Sequence, residues 1–233
     1  MRNYLKTSLT LLALTVAFGV FAQNPNNLNN SSQFVSSTSI KAYPANERIS
    51  GSPYENADFV KGNIYKDGGL LANGVAVRYN AVRDEIEIKK EVDDHNRTGK
   101  VMVKSPDLYV KILNKVFVFV NKKEGIDKPG YFMVLHEGTD YNLYKKVKKE
   151  YIEGAESMNS LTRDIPAMYK EHISYYLVEK QSGELKEFPS SKGGKFNVFG
   201  NKKKQLKNYA KEEKLNINKE YALVKVVKQF DTM

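Results

Sequence analysis

Residues 109–120 read Tyr-Val-Lys-Ile-Leu-Asn-Lys-Val-Phe-Val-Phe-Val. Two short apolar runs, at 109–113 and 116–120, flank Asn114 and Lys115, which suit a two-residue turn, so the stretch predicts a β-hairpin. The second run is apolar at every position, and strands of this composition are usually covered on both faces. We therefore expect residues 116–120 to lie in the centre of a sheet.

Other strand signals continue on both sides of this hairpin. Residues 85–88 alternate between acidic and apolar side chains, as a half-buried strand does, and the stretch Val-Ala-Val-Arg-Tyr at 75–79 also alternates. Turns are predicted where Gly, Asn, Asp and Ser cluster, at 67–69, 73–74, 137–140 and 181–184. Hairpins that follow one another without a long helical pattern indicate an antiparallel meander.

The sequence therefore predicts a mainly β (α+β) protein with one antiparallel meander sheet over residues 51–190. A curved sheet and a half-barrel both agree with this pattern. Residues 157–170, which contain Pro166, are expected to form a longer loop within the domain.

The hydrophobic period changes near the C-terminus, and residues 191–233 are expected to form a basic helical segment packed on or beside the sheet. A short helix over 192–199 is predicted to end at Gly200. Asn201 and Asn218 are predicted to cap two further helices. Residues 222–227 are rich in Val, so a strand is the alternative to the last helix. The predicted apolar faces consist of Leu206, Tyr209 and Ala210 in one helix and Tyr221, Leu223, Val224, Val227 and Phe230 in the other.

Most of the excess positive charge lies in this segment. Residues 186–233 contain 12 Lys and 5 acidic residues, whereas residues 23–185 contain 23 basic and 22 acidic residues. A local positive field attracts anionic partners over a Debye length, ~8 Å at physiological salt. The alternative is a solvated helix face that only keeps the protein soluble. The candidate binding surface consists of Lys202, Lys203, Lys204 and Lys207.

Residues 1–22 have the pattern of a cleavable signal peptide. Arg2 and Lys6 precede an uncharged apolar stretch, and Val20 and Ala22 occupy the positions three and one before a cut. The apolar stretch is shorter than the ~20 residues of a spanning helix, which disfavours a retained membrane anchor. We expect the mature protein to be exported to the periplasm, the cell surface or the medium, with no transmembrane segment.

Residues 23–50 follow the predicted cut and are rich in Asn and Ser. A segment with so few apolar residues cannot offset the entropy lost on ordering, so the composition predicts a flexible polar tether.

The sequence offers no recognisable catalytic or metal-binding set. The absence of Cys excludes disulfides and thiol catalysis, and His95, His136 and His172 do not follow a zinc-ligand spacing. Asp93, Asp94 and His95 form a local polar cluster that is typical of a loop tip. We therefore predict a protein that is not an enzyme and holds no cofactor or metal.

Four short segments occur in the order Gly-Ser-Pro-Tyr at 51–54, Phe-Val-Lys-Gly at 59–62, Arg-Tyr-Asn at 78–80 and Asp-Glu-Ile-Glu at 84–87. From about residue 51 to its end, the chain resembles a family of exported, functionally uncharacterised envelope proteins of Bacteroidota-type bacteria. The resemblance implies an exported β-rich protein and brings no catalytic residues with it.

The residues themselves give one further expectation for these segments. Arg78 ends a predicted strand and is expected to pair with Glu85 or Glu87 across a hairpin.

These observations favour a non-catalytic envelope protein that binds a ligand or a protein partner and contacts an anionic partner through its basic helix. The alternatives are an assembly component of an envelope complex and a hydrolase whose site no motif reveals. Nucleic acid is not an expected partner outside the cytoplasm, and the oligomeric state stays open.

The export signal makes a direct prediction about the mature chain. Cleavage after Ala22 should leave Gln23 as the first residue, because the peptidase requires small side chains before the cut. Intact mass and N-terminal sequencing of protein from the envelope fraction check this. Detection of residues 1–22 on that protein would contradict the prediction.

Overall fold

The fold was analysed in a computed structural model that describes residues 33–43, 49–92, 99–123, 125–156 and 163–233. The strands are β1 Val35–Ser39, β2 Val60–Lys66, β3 Gly69–Asn80, β4 Glu85–Lys89, β5 Lys100–Met102, β6 Leu108–Ile112, β7 Lys115–Val120, β8 Gly130–Glu137, β9 Tyr141–Ile152, β10 Met168–Glu179 and β11 Leu185–Glu187. The helices are α1 Lys192–Lys195, a 3-10 helix Phe196–Lys202, α2 Lys203–Glu212 and α3 Glu220–Asp231.

The strands form one 11-stranded antiparallel sheet in the order β1-β5-β4-β3-β2-β6-β7-β8-β9-β10-β11. The predicted mainly β, antiparallel fold with a C-terminal helical segment is confirmed. The order contains two meanders, β2 to β5 and β6 to β11, which run in opposite directions from the β2–β6 pair. No helix in the described ranges is long and apolar enough to cross a membrane.

The sheet is strongly curved. In a flat sheet, β3 and β7 would lie three strand spacings apart, roughly 14 Å. The rings of Tyr79 on β3 and Phe117 on β7 nevertheless have centroids only 5.0 Å apart. Tyr131 on β8 also donates a hydrogen bond of 3.3 Å to the carbonyl oxygen of Val103, just after β5. The curl therefore brings the β5 end of the sheet over β8.

One large apolar cluster fills the concave face. It contains buried side chains from β2 through β9, together with Phe34, which precedes β1 and is 3% exposed. Because these side chains occupy the space inside the curl, the concave face is a packed core.

The central position predicted for residues 116–120 is confirmed. Phe117 and Phe119 point into the large cluster, whereas Val118 and Val120 pack against a separate cluster that includes Phe132 on the other face. The hairpin turn lies one residue earlier than predicted, at 113–114, because Ile112 pairs with Lys115.

Two other local predictions differ from the structure. Asn73 and Gly74 form a bulge within β3, where Gly62 pairs with Val75 but Ile64 pairs with Ala72. Gly74 has a φ of 68°, a value that suits a glycine in a bulge as well as in a turn. β10 begins within the predicted 157–170 loop, of which residues 157–162 lie outside the described part of the chain.

The predicted tether at 23–50 is wrong over its later part, because β1 pairs with β5. Its polar side chains are mostly exposed, while Phe34 contributes to the large cluster. Backbone pairing and one buried ring thus order a segment that composition alone marks as unstructured. The sheet consequently starts before residue 51.

The helical segment packs on the sheet through a second cluster, in which Leu143 and Leu177 of the sheet contact Phe199, Leu206 and Leu223. The C-terminal end of the helical segment is fixed to the sheet by Asp231. The carboxylate of Asp231 accepts hydrogen bonds of 2.7–2.9 Å from the backbone N–H groups of residues 139–141.

Several details of the helical prediction are confirmed. The break at Gly200 is present, with a φ of 54° inside the 3-10 helix. Leu206 and Ala210 are buried, and residues 222–227 are helical, so the alternative of a strand is wrong.

Other details are wrong. Lys202 and Lys219 occupy the N-cap positions that were predicted for Asn201 and Asn218, and neither makes a side-chain cap. The 3-10 helix runs through Asn201, which removes it from the cap position. The buried face of α3 consists of Ala222, Leu223, Val226 and Val227. This face is rotated about the helix axis relative to the predicted one, and Tyr221 is 61% exposed.

Asp84, in the turn between β3 and β4, joins distant parts of the curl. Its carboxylate accepts hydrogen bonds of 2.7 Å from the Tyr79 hydroxyl and 3.1 Å from the Tyr131 backbone N–H. It also forms an ion pair of 2.7 Å with Lys146 on β9. A Cβ atom at residue 130 would lie 2.1 Å from the Asp84 carboxylate, so Gly130 leaves room for this junction.

We predict that Asp84→Asn lowers the free energy of unfolding by about 1–3 kcal/mol, because it removes the partner charge of Lys146 and disturbs a buried hydrogen-bond set. Asp84 has a φ of 54°, which Asn tolerates, so the substitution tests the carboxylate and not the backbone. Urea unfolding measures the change.

Asp67→Asn provides the matched control, because Asp67 is exposed and has a similar φ of 49°. It should change stability little. Equal effects of the two substitutions would contradict the role given to Asp84.

Candidate ligand-binding cleft

An ion pair links β3 and β4. Arg78 on β3 lies opposite Glu87 on β4, and its Nε and Nη2 atoms lie 2.9 and 2.8 Å from Glu87 Oε2. The Glu87 side chain is fully buried, whereas Arg78 is 16% exposed. Of the two pairings expected from the sequence, the structure contains the one with Glu87. A buried carboxylate requires such a partner, so the pair fixes the orientation of the guanidinium.

Asn80 continues this polar network. Its Nδ2 donates a 2.9 Å hydrogen bond to Glu87 Oε1, and its Oδ1 accepts one of 3.1 Å from the Tyr43 hydroxyl. The same Oδ1 accepts from the backbone N–H groups of residues 82 and 83. Because these buried groups have partners, the network holds Tyr43 against the sheet without an unsatisfied polar atom at Asn80 or Glu87.

Aromatic rings enclose the cations of this region. The Arg78 guanidinium carbon lies 3.5 Å from the Tyr54 ring centroid and 4.2 Å from that of Phe59. The Arg83 guanidinium carbon lies 4.3 Å from the Tyr43 ring. Such contacts are stabilising when the cation is partly desolvated, and they keep both the rings and the cations in place.

Arg78 and Phe59 line a cleft of ≈400 Å³, which we call the tyrosine cleft; its aromatic wall consists of Tyr43, Tyr54 and Tyr169. The Tyr43 ring centroid lies 5.8 Å from that of Tyr54 and 5.9 Å from that of Tyr169, with the rings nearly perpendicular. Gly51 has a φ of 81° and passes close to Tyr169, where a Cβ atom would lie 3.3 Å from the Tyr169 carbonyl oxygen.

The tyrosine hydroxyls of the cleft are held in the neutral form. Burial, with a further effect from the Glu87 charge, raises the pKa of Tyr54 to about 12. Burial also raises the pKa of Tyr43 and of Tyr169. A neutral phenol can both donate and accept a hydrogen bond. In the described part of the chain, neither the Tyr54 nor the Tyr169 hydroxyl makes a hydrogen bond.

The four short segments at 51–54, 59–62, 78–80 and 84–87 meet at this cleft. Residues 51–54 and Phe59 line it, Arg78 forms part of its floor, and Asn80 and Glu87 hold that floor in place. Sequence reasoning identified the Arg78 pair but missed the cleft, because Tyr43, Tyr54 and Tyr169 come from separate parts of the chain. The high number of Tyr residues in the sequence was the only available signal, and ordinary sheet packing explains that number equally well.

The four predicted lysines lie elsewhere, on the helical segment. Lys204 and Lys207 are exposed, whereas Lys202 and Lys203 are half-buried. Lys207 lines a groove between α1 and α2 together with Lys192 and Lys211, and the other three predicted lysines do not line it. Of the four predicted lysines, Lys207 therefore lines this groove and the other three lie outside it.

The predicted loop-tip cluster of Asp93, Asp94 and His95 lies outside the described residues. His136, at the end of β8, has a buried Nε2 atom without a hydrogen-bond partner, and burial lowers its pKa. His172 on β10 lies 3.9 Å from Glu150 on β9, and both side chains are exposed. Within the described ranges, no group of three or more His, Cys, Asp or Glu residues could hold a metal ion.

No protein family, curated protein or solved structure was found to match this chain.

The buried carboxylate gives a prediction about the floor of the cleft. Glu87→Gln should lower the free energy of unfolding by about 3 kcal/mol, because it leaves the partly buried Arg78 without a counter-charge. Chemical denaturation measures the loss. Glu91→Gln is the control, since Glu91 is exposed and the same change there should have little effect. A loss at Glu87 no larger than at Glu91 would show that the ion pair does not organise the cleft.

Proposed function

We propose that this protein is an exported, non-catalytic binding protein that holds a small ligand in the tyrosine cleft and contacts an anionic partner through its basic helical segment. The observation that carries the proposal is the convergence of distant segments on one fixed aromatic cleft. Its ≈400 Å³ volume falls within the ~300–1,000 Å³ of typical small-ligand sites. The expected ligand has an apolar or aromatic face for the rings and polar groups for the hydroxyls.

The chemistry of the cleft supports binding over catalysis. Its groups with shifted pKa values are tyrosines, and the shifts oppose formation of a phenolate, which would be the reactive base or nucleophile. Arg78 makes hydrogen bonds with Glu87 and with the carbonyl oxygen of Ala57. These groups suit the recognition of a neutral or polar surface better than proton transfer.

A lipid-carrier function inside the curl finds no support in the geometry, because side chains fill the concave face. The proposed ligand site therefore lies outside the curl, where the chain before β2 bridges to β3 and β10.

A cleft-blocking variant tests the ligand proposal. Ala42 is exposed and lines the tyrosine cleft, so Ala42→Trp should fill its mouth without disturbing the core. Native mass spectrometry of wild-type protein taken from its own envelope should show a bound small molecule, and the variant should lose it.

Ala155→Trp is the matched control, because Ala155 is exposed and does not line the cleft. It should retain the bound molecule. Wild-type protein without any bound molecule, or equal retention in both variants, would contradict the proposal.

A further inference from the structure

The helical segment presents a second concave surface, between α1 and α2. This groove has a volume of ≈430 Å³, an apolar floor of Phe196, Ala210 and Leu215, and three lysines at its rim. The rim lysines are Lys192, Lys207 and Lys211, and we call this surface the lysine groove.

The floor of the lysine groove is part of the folded core. Phe196 and Ala210 are each 5% exposed, and Leu215 is half-buried against the same cluster. The groove is therefore formed by packed side chains that stay in position when the solvent above them is replaced.

The rim carries positive charge directly above this apolar floor. Lys207 Nζ lies 5.9 Å from the centroid of the Phe196 ring. Lys207 and Lys211 are four residues apart on α2, so they lie on the same side of the helix. All three rim lysines are exposed, and none makes an ion pair with a residue in the described ranges.

We propose that the lysine groove binds an anionic amphiphile with a single acyl chain. The carboxylate or phosphate head group contacts Lys207 and Lys211, and the chain lies on Phe196, Ala210 and Leu215. This inference rests on the proposed function, because it names the chemical class of the anionic partner.

An acidic peptide would complement the charges of the rim lysines but would not suit the apolar floor of the groove. Lysine side chains only donate hydrogen bonds, and the remaining side chains around the groove are apolar or absent. The backbone N–H groups of a bound peptide that face the floor would therefore lose their bonds to water without finding a side-chain acceptor. An acyl chain has no such groups to satisfy.

Titration calorimetry with dodecanoate below its micelle concentration tests the proposal. Wild-type protein should bind dodecanoate, with an affinity that falls as salt is raised. Dodecanol and acetate should bind much more weakly, because the first lacks the charge and the second lacks the chain. Dodecyl phosphate should bind like dodecanoate, whereas inorganic phosphate should not.

Two double variants locate the site. Lys207→Glu with Lys211→Glu should weaken dodecanoate binding about tenfold or more, since two charge contacts are lost. Lys219→Glu with Lys225→Glu makes the same change in net charge at exposed positions that neither line the groove nor belong to the candidate binding surface. This second pair should leave binding within about twofold of wild type, because rim-distant charges act only through screened long-range fields.

Three results would overturn the proposal: no binding of dodecanoate, equal weakening by both double variants, or tighter binding of a Glu-rich peptide than of dodecanoate. The last result would assign the groove to an acidic peptide. Failure here leaves the Ala42→Trp experiment unaffected, so it is distinguishable from failure of the ligand site in the tyrosine cleft.

Discussion

The curl of the sheet depends on the junction at Asp84. This carboxylate joins the β3–β4 turn to the backbone of β8 and to Lys146 on β9. Next to it, the Tyr79 hydroxyl also lies 3.2 Å from the carbonyl oxygen of Val147, and the Lys149 N–H donates to the carbonyl oxygen of Ala81. These contacts hold strands together that are not neighbours in the sheet. Together with the packed concave cluster, they link the β3–β4 turn to β8 and β9 across the curl.

The strands with strong local patterns could be predicted from the sequence because their packing is decided locally. The run at 116–120 is apolar on both faces, and both faces are covered. The sequence predictions are wrong where the same residue types suit two different local structures. Asn73 and Gly74 suit a bulge as well as a turn, and the outcome depends on how far β3 must extend to pair with β2. Likewise, the polar segment at 35–39 becomes a strand because β5 offers it backbone partners, and that partner lies more than sixty residues away.

The binding surfaces could be predicted only in part, for a related reason. Charge counts identify the C-terminal segment as basic, yet the groove takes Lys192 from one helix and Lys211 from another, and it leaves out Lys202, Lys203 and Lys204. The tyrosine cleft gathers three rings from positions 43, 54 and 169. No local pattern connects them, because their proximity follows from the curl and from the path of the chain before β2. The Arg78–Glu87 pair was accessible to sequence reasoning because both residues belong to one hairpin.

The position of β1 has a consequence for the order in which the chain acquires its structure. β1 precedes the other strands in the sequence but lies at the edge of the sheet beside β5, so its backbone partners are the residues of Lys100–Met102. A chain that is synthesised from its N-terminus presents residues 35–39 long before those partners arrive. The β3–β4 hairpin, whose contacts are local, can form early, whereas β1 must wait for a loop of some sixty residues to close, which is a slow type of step. During that interval the backbone groups of residues 35–39 and the ring of Phe34 have no native partner, so this uncharged segment is open to pairing with other chains.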